Sequence, residues 1–345
     1  MRKEYIQSLL KHLNFESIIV KYDYFIEGKL DYVLCDIKTS KQNYSSTIIP
    51  LGDGKIVTNM PDRGYIVVWS LKDNQPDIML QYNSVYTPTF CVLENSKIVK
   101  CTIFGIQIWD TNHNKYFRIN TYDYVDNLSI SMDNRIITLS DKAIKIWNPH
   151  TGNVDLTIED DLETRIIVTT KDKIITASSN KIRIRNIHTG KLEALLNNDI
   201  YGILDIKVIS EELIAVLMKH NTLNFWNINT YKLEVGIISS LRCFLVLPDK
   251  RIVSGYYNYK VIIWKDYKVQ FILQHDATII LLNITINHKL ISVTINKNIR
   301  IWDLDTGECE VIFPILHTNI ITSIITTSEG KIISGDKDGK IIVWK

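Results

Sequence analysis

Seven tryptophans recur along this chain at a nearly constant interval, and this regularity restricts the folds open to it. The intervals are 40, 38, 79, 38, 38 and 42 residues, between Trp69, Trp109, Trp147, Trp226, Trp264, Trp302 and Trp344. The interval of 79 is a doubled one, and its midpoint is Arg185, whose segment KIRIRNIHTG aligns with KAIKIWNPHTG around Trp147. The sequence therefore contains eight equivalent units of about 40 residues, a period typical of repeat architectures.

Every unit has the sequence pattern of four short β-strands. Near-continuous β-branched residues precede the tryptophans, as in Ile66-Val67-Val68 and Ile341-Ile342-Val343, and such runs favour strands. A tight turn such as SMDNRII or SEGKIIS leads into another strand, which precedes the strand that ends at the tryptophan. After the tryptophan, a further turn leads into a last apolar strand such as NVDLTI. Because four strands of about 5 to 6 residues with short turns fill about 40 residues, each unit is predicted to be a four-stranded sheet.

A repeat of this length in which a tryptophan closes the third strand resembles the WD40 family, whose repeats form the blades of β-propellers. Trp109-Asp110 and Trp302-Asp303 are literal Trp-Asp pairs. The resemblance covers about residues 30 to 345 and implies an all-β fold, a WD40-type β-propeller of eight blades, or of seven if the first unit is displaced. It also implies a buried, hydrogen-bonded set of four side chains in a blade. Only the last unit retains this set in full, as His317, Ser334, Asp338 and Trp344.

The two ends of the sequence bear on how such a propeller closes. The chain stops at Lys345, directly after the eighth third strand, so the last blade has no outer strand of its own. An unpaired sheet edge promotes aggregation, and the segment Lys29 to Ile37 is predicted to cover it by pairing with Ile341 to Trp344. We therefore expect a propeller domain at residues 29–345 after an N-terminal segment, residues 1–28, in which KEYIQSLLKHL has the spacing of a short amphipathic helix.

Composition narrows the partners and the compartment. The chain has 40 Lys and Arg against 38 Asp and Glu, a formal charge of +2. No global basic field draws it to nucleic acid or an anionic membrane, and no apolar run approaches the length of a membrane span. The five cysteines are scattered without a C-x-x-C pair, so a reducing compartment is expected. We predict a monomeric, cytoplasmic protein, with the nucleus as the alternative location.

Catalytic and metal-binding motifs do not stand out in the sequence. The eight histidines have no H-x-H or H-E-x-x-H spacing, and no glycine-rich nucleotide-binding motif or G-x-S-x-G occurs. The predicted innermost strands, such as TFCVL and LSISM, carry few groups suited to chemistry. We therefore expect no cofactor, no metal and no catalytic residue. A propeller hydrolase or lyase is the alternative from another class.

A repeat fold without a catalytic motif suggests a non-catalytic protein–protein interaction scaffold whose partner is a protein or peptide. The alternative is a substrate-recruiting adaptor of a ubiquitin ligase that binds acidic or phosphorylated peptides. In WD40 proteins the loops between second and third strands and between repeats commonly bind peptides. In this sequence those loops contain aromatic and cationic residues of the kinds enriched at interaction hot spots: Arg63, Tyr86, Phe104, Tyr124, Lys142, Tyr201, Tyr257, Tyr259, Lys297 and Lys337.

Two further groups of cations have two possible interpretations each. Arg185 stands where other units have a ring, so either its stem packs while its charge reaches solvent, or Arg183 and Arg185 bind an acidic or phosphorylated partner. Lysine or arginine also recurs at the turn between first and second strands. These residues either form a positively charged face or are solvated turn residues: Lys55, Lys97, Arg135, Lys173, Arg251, Lys289 and Lys331.

Overall fold

The computed structural model describes residues 30–35, 47–60, 65–81, 90–93, 97–102, 105–113, 115–120, 125–140, 143–159, 166–178, 181–197, 202–219, 222–238 and 240–344. Within these ranges the regular structure is β-strand, and no helix is long and apolar enough to cross a membrane. The helix predicted within the N-terminal segment lies outside the described residues. The predicted all-β class is confirmed for the part that is described.

The strands follow the predicted spacing closely. In chain order they are β1 (Leu30–Cys35), β2 (Ile48–Gly52), β3 (Lys55–Met60), β4 (Tyr65–Ser70), β5 (Gln75–Gln81), β6 (Phe90–Leu93), β7 (Lys97–Thr102), β8 (Gly105–Asp110), β9 (Lys115–Asn120), β10 (Val125–Ile130), β11 (Ile136–Ser140), β12 (Ala143–Trp147), β13 (Val154–Glu159), β14 (Ile166–Thr169), β15 (Lys173–Ala177), β16 (Lys181–Asn186), β17 (Leu192–Asn197), β18 (Ile203–Val208), β19 (Leu213–Met218), β20 (Thr222–Asn227), β21 (Lys232–Ile238), β22 (Leu241–Val246), β23 (Ile252–Tyr256), β24 (Lys260–Lys265), β25 (Lys268–Gln274), β26 (Ile279–Ile284), β27 (Leu290–Thr294), β28 (Ile299–Trp302), β29 (Cys309–Ile312), β30 (Ile321–Thr326), β31 (Ile332–Asp336) and β32 (Ile341–Trp344).

These strands form eight four-stranded sheets, which we number as blades 1 to 8 along the chain. Strands β2 to β5 form blade 1, and each following group of four forms the next blade, up to β26 to β29 in blade 7. Blade 8 contains β30, β31, β32 and β1. Blades 2 to 5 lie in one compact unit, Pro88–Leu241, and blades 1, 6, 7 and 8 in another, Met1–Thr87 with Arg242–Lys345. The prediction of eight sheets, rather than seven, is confirmed.

The predicted closing contact of blade 8 is also confirmed. Strand β1 pairs antiparallel with β32, with Leu30 opposite Trp344 and Cys35 opposite Ile341. All four residues of β32 are buried, because Ile342 and Trp344 pack against blade 7 and the other two residues pack against blade 1. The N-terminal strand therefore covers an edge whose exposure would leave a buried strand unpaired on one side.

Within each unit the core lies between neighbouring blades, which explains the apolar content of the middle strands. Every residue of β11, β23, β27 and β31 is buried, whereas the outer strand β13 keeps most of its residues exposed. In one core cluster, Ile333 and Val343 of blade 8 pack with Ile56 and Trp69 of blade 1. A strand that is buried on both faces needs apolar residues on both faces. The second and third strands of the repeats are accordingly continuous apolar runs in the sequence.

In the structure, Arg185 occupies the position that a tryptophan occupies in other blades. The pairing of third with fourth strands shifts register directly before Trp264 and Trp302, and it shifts in the same way before Arg185. The indole N–H of Trp147 donates to Thr138 Oγ1 at 2.8 Å, and Arg185 Nη1 donates to the equivalent Thr176 Oγ1 at 3.3 Å. The guanidinium therefore replaces the indole as the donor that links third and second strands.

The residue after the tryptophan caps a turn in several blades, which accounts for the variable Trp-Asp pair. Asp303 Oδ1 accepts the backbone N–H groups of Asp305 and Thr306, both at 2.8 Å. Asn148 Oδ1 accepts the N–H groups of His150 and Thr151 at 2.9 and 3.1 Å in the same pattern. Because Asp and Asn both present a side-chain oxygen two atoms from the backbone, either residue fixes the turn.

Candidate interaction face

The buried hydrogen-bonded set of blade 8 exists, but with a different carboxylate from the predicted one. Ser334 Oγ accepts the indole N–H of Trp344 at 2.7 Å and lies 2.6 Å from His317 Nε2. His317 Nδ1 contacts Asp336 Oδ2 at 3.0 Å, and both side chains are almost fully buried. The assignment of Asp338 to the set is wrong. Asp338 lies two residues beyond Asp336, and its carboxylate points outward and accepts a hydrogen bond from Asn319 Nδ2 at 2.8 Å.

Blade 7 retains a shorter version of this set. Ser292 Oγ contacts His275 Nε2 at 2.7 Å and accepts from Trp302 Nε1 at 2.8 Å. Thr294 stands at the position of Asp336, and the histidine Nδ1 contacts the carbonyl oxygen of Leu273 at 3.3 Å instead. Burial lowers the pKa of His275 to about 4, so this imidazole is neutral near pH 7.

The order Asp336, His317 and Ser334 is that of a hydrolase triad, yet burial argues against a catalytic role. The side chains of Asp336 and Ser334 are 0% exposed, and the serine hydroxyl already accepts from an indole. A nucleophile must reach a substrate carbonyl, and no surface at Ser334 offers that access. Within the described ranges no group of three or more His, Cys, Asp and Glu side chains could hold a metal ion.

Replacing His317 by alanine should destabilise the protein by about 1 to 3 kcal/mol, because the change orphans the buried Ser334 hydroxyl and Asp336 carboxylate. His113 provides a matched control: its ring contacts Asp110 from an exposed turn, and its replacement by alanine should cost within about 0.5 kcal/mol. Denaturant unfolding of both variants at neutral pH measures the difference. Equal losses of stability would contradict this assignment of the set.

The turns between second and third strands of blades 6, 7 and 8 present one row of side chains. Counting from the equivalent serines Ser254, Ser292 and Ser334, the third residue along is Tyr257, Ile295 or Lys337 in turn. The fifth is Tyr259, Lys297 or Gly339, and all three have positive φ angles of 68°, 73° and 86°. Tyr257, Tyr259 and Ile295 are 48%, 47% and 42% exposed. The loop residue Ile320 lies beside them and is 38% exposed. We define the turn row as these six residues: Tyr257, Tyr259, Ile295, Lys297, Ile320 and Lys337.

Hydrogen bonds join these turns into one continuous surface. Thr278 Oγ1 donates to the carbonyl oxygen of Tyr257 at 3.2 Å, and the carbonyl of Thr278 accepts the N–H of Ile295 at 2.9 Å. The loop between blades 7 and 8 repeats the pattern, since the carbonyl of Ile320 accepts the N–H of Lys337 at 3.0 Å. The turns of blades 7 and 8 are therefore fixed to the loops that lead into their own blades, and the turn of blade 6 is fixed to the loop that leads into blade 7.

Polar side chains add a second tie between loop and turn. In blade 7 the carboxylate of Asp276 accepts from Asn298 Nδ2 at 2.7 Å and from Arg300 Nη2 at 3.1 Å. In blade 8 the roles are exchanged, because the loop amide of Asn319 donates to the turn carboxylate of Asp338. Turns held in this way lose little conformational entropy when a partner binds.

Of the ten predicted face residues, the structure describes four. Tyr257, Tyr259, Lys297 and Lys337 lie together in the turn row, as expected for one face. The remaining six lie outside the described residues: Arg63, Tyr86, Phe104, Tyr124, Lys142 and Tyr201. Sequence reasoning missed Ile295 and Ile320. Their equivalence to Tyr257 and Thr278 could have been found by aligning the turns on the serine that the last three repeats share.

Arg183 and Arg185 do not form an accessible site. Each is only 6% exposed, and Arg185 donates to Thr176 within blade 4. The expectation that the charge of Arg185 reaches solvent is therefore wrong, and so is a surface contact between these guanidinium groups and a partner. A partner would have to enter the blade to meet them.

The cations at the turns between first and second strands are largely neutralised by neighbouring carboxylates. Five of the seven have such a partner: Lys55 with Asp77 at 2.8 Å, Arg135 with Asp133 at 2.7 Å, Lys173 with Glu193 at 2.5 Å, Arg251 with Asp249 at 2.6 Å, and Lys289 with Glu310. The pairing favours solvated turn residues over a positively charged face.

Eight four-stranded sheets, the last of them completed by the N-terminal strand, are those of an eight-bladed β-propeller. The sequence profile described as WD domain, G-beta repeat matches residues 307–345, a stretch that runs from the outer strand of blade 7 through the last three strands of the chain. The predicted resemblance to WD40 propellers is thus confirmed. No curated protein sequence matches the chain.

Two solved structures show the same fold. The chain is similar to the computationally designed Ika8 protein, with a TM-score of 0.74 and 19% identity over 89% of this chain and 99% of that chain. It is also similar to the WD40 beta propeller domain of Doa1, with a TM-score of 0.58 and 14% identity over 93% of this chain and 98% of that chain. At these identities the likeness concerns the fold.

Proposed function

We propose that this protein is a non-catalytic interaction scaffold that binds a partner protein or peptide through the turn row of blades 6 to 8. WD40 propellers typically serve as protein-interaction scaffolds. One observation carries the proposal: two tyrosines and an isoleucine are about half exposed on turns that are hydrogen-bonded to their neighbours. Apolar side chains held rigidly at the surface are the pattern of interaction hot spots.

The expectations about an adaptor role, the oligomeric state and the cellular location have no support in the described residues. The finer alternative, an adaptor of a ubiquitin ligase, stays a prediction, because the helix that motivated it lies outside the described residues. The monomeric state and the cytoplasmic location also stay predictions. A catalytic propeller is the weaker alternative, since the triad-like set of blade 8 is buried.

Replacing Tyr257 and Tyr259 together by alanine should abolish capture of the partner without unfolding the protein, because exposed turn side chains add little to stability. Affinity purification of wild type and variant from the native cell, with mass spectrometry, compares the captured proteins. Tyr116, 53% exposed on an outer strand, is the matched aromatic control, and Tyr116→Ala should retain the partner. Capture that survives the double replacement but not Tyr116→Ala would place the site elsewhere.

Tyr259→Gly separates binding from stability. A non-glycine residue with φ near 68° carries strain of about 1 kcal/mol, which glycine relieves while its unfolded chain gains entropy. The melting temperature should therefore stay close to that of the wild type, whereas partner capture should fall. A variant that melts well below the wild type would show that the ring is structural, and the turn row would lose its main support.

A further inference from the structure

The turn row has an apolar end and a cationic end. Tyr257, Tyr259 and Ile295 supply about half-exposed apolar area on blades 6 and 7. Lys297 and Lys337 supply the charge on blades 7 and 8, and Lys297 Nζ reaches the carbonyl of Thr318 at 3.5 Å. An occupant that spans these blades therefore meets rings and an aliphatic side chain first and ammonium groups next.

Positive charge exceeds negative charge around the row. The turns and strand ends of blades 6 to 8 on this side carry six cations, Arg242, Lys260, Lys297, Arg300, Lys337 and Lys340, against three carboxylates, Asp276, Asp336 and Asp338. All three carboxylates accept hydrogen bonds within the protein. The surplus of three cations favours an anionic partner.

The arrangement of the cations favours separate carboxylates over a phosphate group. A phosphate dianion is best held by guanidinium groups that bind it in two-pronged fashion. Both guanidinium groups near the row are already engaged, because Arg242 lies 5.4 Å from the ring centre of Tyr257 and Arg300 binds Asp276. The ammonium groups of Lys297 and Lys337 stand on different turns, and each acts as a single point charge.

We propose that the turn row binds an extended segment in which a bulky apolar side chain, seated on Tyr257, Tyr259 and Ile295, is followed by aspartate or glutamate residues that meet Lys297 and Lys337. This inference rests on the proposed scaffold function and deepens it, since it assigns the chemistry of the partner. The rings contribute apolar contact area, and the lysines orient the segment along the row.

Selection from a library of random short peptides displayed on phage tests the proposal. The full chain serves as bait, and peptides that also bind the Tyr257→Ala/Tyr259→Ala variant are removed. The survivors should share a bulky apolar residue next to at least two acidic residues. Survivors without acidic residues, or no enrichment over the variant, would overturn the proposal.

The affinity of one selected peptide then assigns the charges. Lys297→Ala/Lys337→Ala should weaken binding about tenfold, equivalent to about 1.4 kcal/mol, and added salt should remove most of that difference. Lys265→Ala/Lys268→Ala, two exposed lysines of blade 6 away from the row, should change it less than about twofold. Equal effects of the two pairs would overturn the charge assignment. So would a peptide with phosphoserine in place of glutamate that binds about tenfold more tightly.

The two proposals can fail separately. In one outcome, partner capture is lost in the Tyr257→Ala/Tyr259→Ala variant while the selected peptides lack acidic residues. That result leaves the scaffold function intact and overturns the proposal of an acidic segment. Capture and peptide binding that both survive loss of the tyrosines overturn both.

Discussion

A chain that lacks residues 1–38 should fail to form a stable monomer. Without β1, the strand β32 has an unpaired edge, although all four of its residues are buried and it carries the Trp344 indole that donates to Ser334. The loss removes one of four strands from blade 8 and exposes a flat apolar edge, which is a template for aggregation. We expect loss of the cooperative melting transition, or soluble aggregates in size-exclusion chromatography.

A shorter deletion is the control for this experiment. Removal of residues 1–28 leaves β1 in place and should preserve a cooperative transition. A synthetic peptide of residues 29–37 added to the longer deletion should restore part of the melting temperature. If the 1–38 deletion is soluble and melts like the wild type, pairing of β1 with β32 does not stabilise the protein.

Lys100→Met should stabilise the protein at neutral pH, with an effect that shrinks as the pH rises. Lys100 is 0% exposed at the position where other blades have the threonine or serine that binds the tryptophan. Burial lowers the pKa of Lys100 to about 6 from 10.5, so folding must remove its proton at pH 7. Methionine has a similar length and volume and carries no charge, so packing is kept while this cost disappears.

The sign of the pH dependence follows from proton linkage. Between about pH 6 and 10.5 the unfolded chain binds a proton at Lys100 that the folded chain does not, so wild-type stability rises with pH in that window. The stabilisation of Lys100→Met over wild type should therefore fall by about 1.4 kcal/mol for each pH unit between 7 and 9. The cysteines Cys91 and Cys101, whose pKa values burial raises, are present in both proteins and cancel.

Denaturant unfolding at pH 7, 8 and 9 measures this difference. Lys115→Met, a replacement on the outer strand β9, where the residue is exposed, is the matched control and should leave the pH dependence of stability unchanged. If the difference in the free energy of unfolding between wild type and Lys100→Met does not vary with pH, Lys100 keeps its charge in the folded protein.

The sequence by itself determined the repeat and the closing strand, and it favoured eight blades over seven. These features are recorded in local patterns: tryptophans in phase, β-branched runs of strand length, and turn residues at fixed offsets. Even the unit without a tryptophan could be placed, because the residues flanking Arg185 keep the spacing of the other units. Local patterns suffice here because each blade is folded from one continuous stretch of chain, except for the strand Leu30–Cys35 in blade 8.

Only the tertiary structure decided what the polar residues do. Asp336 ends strand β31 and Asp338 lies two residues further on in the turn, and only the first carboxylate reaches His317. Lys173 of β15 meets Glu193 of β17 across the intervening strand β16. The direction of a side chain depends on register and turn geometry, so its partner is fixed only when the strands have paired. The sequence could therefore place the turns along the chain, while the structure decided which of their side chains are exposed and which are buried.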